Sequence, residues 1–124
     1  NRITNKIMTI KLVLLKSGED IIADVGEMAV GEDENARLVG YYLNKPCVVK
    51  MVKPTLLTEE EGSRSKKSGF EVSLFPWIPL TQEKTIPVPT DWVITIVEPT
   101  EQLKQMYIED VVNYENNQSN TLNE

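Results

Sequence analysis

Val13-Leu14-Leu15-Lys16-Ser17-Gly18-Glu19-Asp20-Ile21-Ile22-Ala23-Asp24-Val25 is the stretch on which the fold of this 124-residue chain turns. Residues 9–16 (TIKLVLLK) are rich in branched side chains, with Ile10, Leu12 and Leu14 directed one way and Val13 and Leu15 the other, the pattern of a strand buried on both faces. Ser17-Gly18-Glu19 is a short polar turn whose glycine tolerates a positive φ. Alternation then resumes, placing Ile21, Ala23 and Val25 on one side. The segment predicts a hairpin.

The residues downstream extend a β pattern and then abandon it. From Gly26 to Gly40 (GEMAVGEDENARLVG) glycine and acidic residues fit a loop or a bent continuation of the second strand. Tyr41 to Val52 predicts a third strand, with Pro46 near its beginning or at an edge. Residues 53–69 predict a solvated, disordered loop. Phe70 to Phe75 alternates as a fourth strand that Pro76 and Pro79 bend or end, and Trp92 to Val97 makes a fifth after the stiff Ile86-Pro87-Val88-Pro89 segment. Beyond Pro99 the period becomes helical. Thr100 can cap, Glu101 favours the positive helix end, and Leu103, Met106, Tyr107, Val111 and Tyr114 form one stripe. The expectation is a single domain over residues 8–114, mostly β, with residues 1–7 as an upstream extension and the amide-rich residues 115–124 as a disordered tail.

Composition removes several classes of function. Nineteen acidic residues face thirteen basic ones, there is no histidine, and there is one cysteine. Without histidine the usual general base, zinc ligand and catalytic triad are missing, and one cysteine makes neither an internal disulfide nor a thiolate zinc site. No catalytic residue, cofactor or metal is therefore expected. Carboxylates near predicted strand ends (Asp20, Asp24, Glu27, Asp91) show no spacing that would pair them for acid and base work. The longest apolar runs fall well short of the roughly 20 residues needed to cross a bilayer, so the expectation is a cytoplasmic protein. A domain of this size hides only about two-thirds of its unfolded surface, which leaves room for a partner surface to complete it.

Five short strands, the first two joined by a tight turn, suffice for a small, strongly bent antiparallel barrel. The stretch Val13–Val25 resembles the first Sm motif, a hydrophobic strand, a Lys-x-Gly turn and a second hydrophobic strand. Val88-Pro89-Thr90-Asp91-Trp92-Val93-Ile94-Thr95-Ile96 is similar to the second Sm motif, a short turn before the last barrel strand. Over residues 8–114 the chain resembles the divergent Sm-like proteins of marine metagenomes attributed to cyanophages. The resemblance implies a five-stranded Sm-like barrel with a C-terminal helix. It also implies a homo-oligomeric ring of five to seven subunits, a pentamer among them, in which the fourth strand of one subunit pairs with the fifth of the next, here Phe70–Phe75 with Trp92–Val97. Single-stranded RNA bound around the pore, with no catalysis, in the cytoplasm of an infected bacterial host is the implied role. Two departures stand out. Pro89-Thr90 occupies the place of the second motif's Arg/Lys-Gly pair, and Asp24 with Met28 is the nearest match to the end of the first motif, without its asparagine.

RNA binding needs positive charge and flat side chains for stacking. The net charge of −6 opposes it, but Lys45 to Lys67 holds six basic residues against three acidic ones. Tyr41, Tyr42 and Asn44 adjoin that patch, so the candidate RNA-binding residues are Tyr41, Tyr42, Asn44, Lys45 and Lys50. The competing reading makes both tyrosines part of the barrel wall and the lysines solubilising charges. Glu32-Asp33-Glu34 lacks the spacing and glycine of a calcium loop and reads as a solvated turn. Trp77 and Trp92 read as core or interface packing, Cys47 as a buried inert thiol, and the Asn117 sequon as incidental.

Overall fold

The computed structural model describes residues 8–52 and 71–113. The expected extension, the loop over 53–69 with its basic residues, Phe70, Tyr114 and the tail lie outside them. Six strands form one antiparallel sheet: β1 (Ile10–Leu15), β2 (Asp20–Val30), β3 (Arg37–Val52), β4 (Glu71–Pro76), β5 (Thr85–Pro89) and β6 (Val93–Val97). A helix, α1 (Glu101–Tyr107), continues as a π-helical turn over Ile108–Val112. The mostly β class with a C-terminal helix is as the sequence indicates, and the sheet is strongly bent without closing on itself.

The β1–β2 hairpin pairs Leu12 with Ile22 and Leu14 with Asp20. Its turn is closed by Gly18 N–H donating to the Leu15 carbonyl at 2.8 Å, and Gly18 sits at φ +92°, a conformation other residues resist. Between Gly26 and Gly40 the bent continuation is realised: β2 runs to Val30 and a single turn of 3-10 helix, Asp33–Asn35, leads into β3.

Strand order is β4-β3-β2-β1-β6, with β5 also on β3. One edge of the long β3 therefore carries two short strands, β4 against Cys47–Val52 and β5 against Gly40–Asn44. Between them Lys45 and Pro46 oppose the lone Ala23 of β2, a bulge with Lys45 at φ +51°. That bulge is how Pro46 is accommodated in mid-strand rather than at the strand start. Where β5 lies, the sequence alone predicts only a stiff segment. Pro87 and Pro89 are two residues apart, so both lack their N–H on the same side, and Ile86 and Val88 remain able to pair with β3.

Two apolar clusters hold the sheet from its two faces. Val13, Leu15, Ile21, Ala23, Leu43 and Val88 make the first, joined by Trp77 and by Val93 and Ile96 of β6. Strands from both ends of the sheet order thus meet on one cluster, which is why the sheet curls. Ile10, Ile22, Cys47 and Tyr107 make the second, completed by Leu103, Ile108, Val111 and Val112. Adjacent Ile21 and Ile22 feed opposite clusters, as the period of two requires. Each such aliphatic side chain contributes roughly 1.5–3 kcal/mol on burial. Thr100 caps α1 by accepting from the Leu103 N–H at 3.2 Å. The expected stripe holds at Leu103, Tyr107 and Val111, while Met106 stays half-buried outside the cluster and the π turn brings in Ile108 and Val112 instead.

Candidate nucleic-acid interface

The bulge at Lys45-Pro46 organises the neighbourhood of the candidate residues. The Tyr107 hydroxyl lies within donating distance of the Asn44 carbonyl, at 2.9 Å, and of the Lys45 carbonyl, at 3.0 Å. Burial, with the Cys47 thiol and the Asp24 carboxylate nearby, pushes the Tyr107 phenol well above its ordinary range. It stays a neutral donor. Asn44 donates through Nδ2 to the Asp24 carbonyl at 3.0 Å and accepts through Oδ1 from the Thr85 hydroxyl, so its amide stitches β2, β3 and β5. Asp24 in turn accepts from the Thr9 N–H at 2.9 Å.

The five candidates do not converge on one surface. Tyr41 opposes Val88 and packs half-buried on the first cluster. Tyr42, on the opposite face between Gly26 and Pro87, is 41% exposed. Asn44 shares that face but its amide is occupied within the sheet. Lys45 is half-buried at the bulge. Lys50 lies toward the far end of β3 with its ammonium 5.7 Å from the centre of the Phe75 ring, a cation–π contact.

Asp24, Asn44, Lys45, Lys84, Thr85 and Tyr107, with the apolar Met8 and Val112, line a cavity of about 310 Å³. Sequence reasoning missed the contribution of Lys84 and Thr85, because nothing local marks the start of β5 as a partner of Asn44. A larger groove of about 590 Å³ opens where β4 and β5 part, lined by Pro46, Pro76, Trp77, Ile78, Ile86 and Val111 among others. Trp77 is anchored there by its backbone N–H to the Pro46 carbonyl and by Nε1–H to the Glu19 carboxylate at 3.1 Å. It packs on the first cluster, as expected of a sealing aromatic, whereas Trp92 remains nearly half-exposed in the single chain.

Cys47 is buried, and that burial pushes its thiol up to about 11. A pH dependence follows. The folded chain holds a neutral thiol while the unfolded chain releases its proton near pH 9, so stability is full below about pH 9 and declines as pH rises toward 11. The loss assignable to Cys47 is on the order of 2–3 kcal/mol. Urea titrations at pH 8 and pH 11 measure it, and Cys47→Val is expected to flatten the decline; an unchanged slope in that variant contradicts the assignment.

Among the described residues no three of Cys, Asp and Glu gather into a metal-binding group. Glu32, Asp33 and Glu34 form the exposed tip of the β2–β3 hairpin. No helix among the described residues is long and apolar enough to cross a membrane.

The model of the Sm-like domain family matches residues 9–108. The chain belongs to the Sm-like family. Its match runs from β1 into the π-helical turn that follows α1. The stretch that resembles the first Sm motif forms the β1–β2 hairpin, and the stretch that resembles the second spans the end of β5, the 3-10 turn Thr90–Trp92 and β6. In this Sm-like chain residues 77–84 link β4 to β5, leaving the sheet edge after Pro76 and rejoining it at Thr85. At the second-motif turn it presents Pro89, Thr90 and an exposed Asp91. No curated protein matches the sequence.

Proposed function

We propose that the protein assembles as a closed homo-oligomeric ring that binds single-stranded RNA and performs no chemistry on it. Membership of the Sm-like family, a class of ring-forming RNA binders, over residues 9–108 is the observation that carries this reading. The open sheet supports the ring, since β4 and β5 at one end and β6 at the other leave strand edges that a neighbouring copy can cover. Copy numbers of five to seven suit the family. The resemblance to cyanophage-type chains supports a role in the cytoplasm of an infected bacterium, in RNA processing or regulation, as part of this proposal.

Tyr42 is the stacking platform in this reading, because its ring is exposed on the face it shares with Asn44, which with Lys45 lines the smaller cavity. Lys45 supplies the adjoining positive charge. Lys45→Glu is expected to weaken binding of a short single-stranded RNA at least tenfold and to lower the slope of log affinity against log salt by about 1, with subunit count unchanged. Fluorescence anisotropy over a salt series reads both quantities. Wild-type affinity in that variant removes Lys45 from the site.

A second reading is a ring that binds protein and not nucleic acid. It is favoured by the net charge of −6 and by Asp91 at a turn where the family's second motif carries a basic residue. Under it the wild-type protein has no measurable RNA affinity at ordinary salt.

A further inference from the structure

Lys45 is held in a conformation that its residue type resists. Among the described residues two non-glycine residues have a positive φ, Asp33 and Lys45. Asp33, of a type that tolerates it, stands at the exposed β2–β3 tip. Lys45 lies inside β3 at φ +51°, the first of the two residues that bulge against Ala23, where a bulge of this kind ordinarily takes a glycine. It also precedes Pro46, and a proline ring drives the residue before it toward extended backbone. Strain of this kind persists only where the surrounding structure imposes it, and it collects at functional positions.

The imposing groups come from two other parts of the chain. Lys45 N–H donates to the Lys84 carbonyl at 2.6 Å, just ahead of β5. From the other side the Tyr107 hydroxyl reaches the Lys45 carbonyl at 3.0 Å and that of Asn44 at 2.9 Å. Tyr107 is completely buried among Ile10, Ile22 and Cys47, so the docking of α1 sets where its hydroxyl stands. The peptide groups on either side of Lys45 are thereby fixed, and with them the direction in which its side chain leaves the backbone. Lys45 lines both the smaller cavity and the larger groove. A glycine at this position would meet every backbone demand of the bulge, so it is the lysine side chain that the strain preserves.

We propose that Tyr107 is a positioning residue for RNA binding: its hydroxyl, delivered by α1, holds Lys45 in the left-handed conformation that presents the ammonium to an RNA phosphate. The proposal rests on the RNA-binding reading and adds the C-terminal helix to it. Because coupling between sites is reciprocal, a phosphate held by Lys45 in turn stabilises the docked helix.

A double-mutant cycle on the full-length protein tests this, with a short single-stranded RNA followed by fluorescence anisotropy over a salt series. Lys45→Gly is expected to weaken binding about tenfold and to lower the slope of log affinity against log salt by about 1. Its urea midpoint is expected to be no lower than that of the wild type, since glycine adopts a positive φ without strain. Tyr107→Phe, which keeps the ring in the second cluster, is expected to weaken binding about fivefold with a similar fall in slope. The double variant is expected to bind no more weakly than Lys45→Gly alone. In the wild type, saturating RNA is expected to slow hydrogen exchange across α1, and in Tyr107→Phe it is expected not to. Losses that multiply in the double variant, wild-type affinity and slope in Tyr107→Phe, or a Lys45→Gly chain less stable than the wild type overturn the positioning role and leave RNA binding standing. A wild-type protein without RNA affinity overturns the RNA reading, and the positioning role with it.

Discussion

Tyr107→Ala is expected to cost about 3–5 kcal/mol, the range for removing a large, fully buried aromatic side chain. Tyr107 is completely buried and is the one residue of α1 at the centre of the second cluster, against Ile10, Ile22 and Cys47. Its loss leaves a void and also deprives the Asn44 and Lys45 carbonyls of their shared hydroxyl donor, at the bulge that separates β4 from β5. Against a total stability of about 5–15 kcal/mol this is a large fraction. Tyr107→Phe isolates the polar share, expected at about 1–2 kcal/mol. Urea denaturation followed by circular dichroism measures both, and a loss under about 1 kcal/mol for Tyr107→Ala contradicts the role given to the helix.

Gly40→Ala is expected to destabilise by about 1–3 kcal/mol, the usual cost of overpacking a filled site. A Cβ at position 40 would lie 2.8 Å from the Val88 carbonyl oxygen and 3.5 Å from the Pro89 Cα. The obstacle is backbone, so no rotamer change relieves it; β5 must move away from β3. That movement withdraws Val88 from the first cluster and shifts the second-motif turn that follows β5. The same denaturation measurement serves, with hydrogen exchange at Tyr41 and Val88 expected to accelerate more than at the β1–β2 hairpin. Uniform protection across the sheet contradicts the account.

The hairpin was legible because three local signals agree there: alternation before the turn, a glycine at the position that needs a positive φ, and alternation after it. α1 was legible for the same reason, with proline, a capping threonine and an apolar stripe in sequence. β5 was not, since Ile86-Pro87-Val88-Pro89 reads as anti-strand until the parity of the two prolines is set against a partner, and the partner is Tyr41–Leu43, over forty residues away. Nor does spacing show that a bulge at Lys45-Pro46 splits the edge of β3. At the candidate site the sequence supplies only residue types, and their orientations depend on register. Tyr41 and Tyr42 fall on opposite faces, and the Asn44 amide is engaged by groups from β2 and β5 that sequence distance conceals.

Native mass spectrometry of the full-length protein purified without nuclease reports subunit number and retained nucleic acid together, and so tests the RNA-binding ring most directly. It is expected to show one closed oligomer of defined count carrying RNA that ribonuclease removes while the oligomer persists. A monomer carrying no RNA would contradict it.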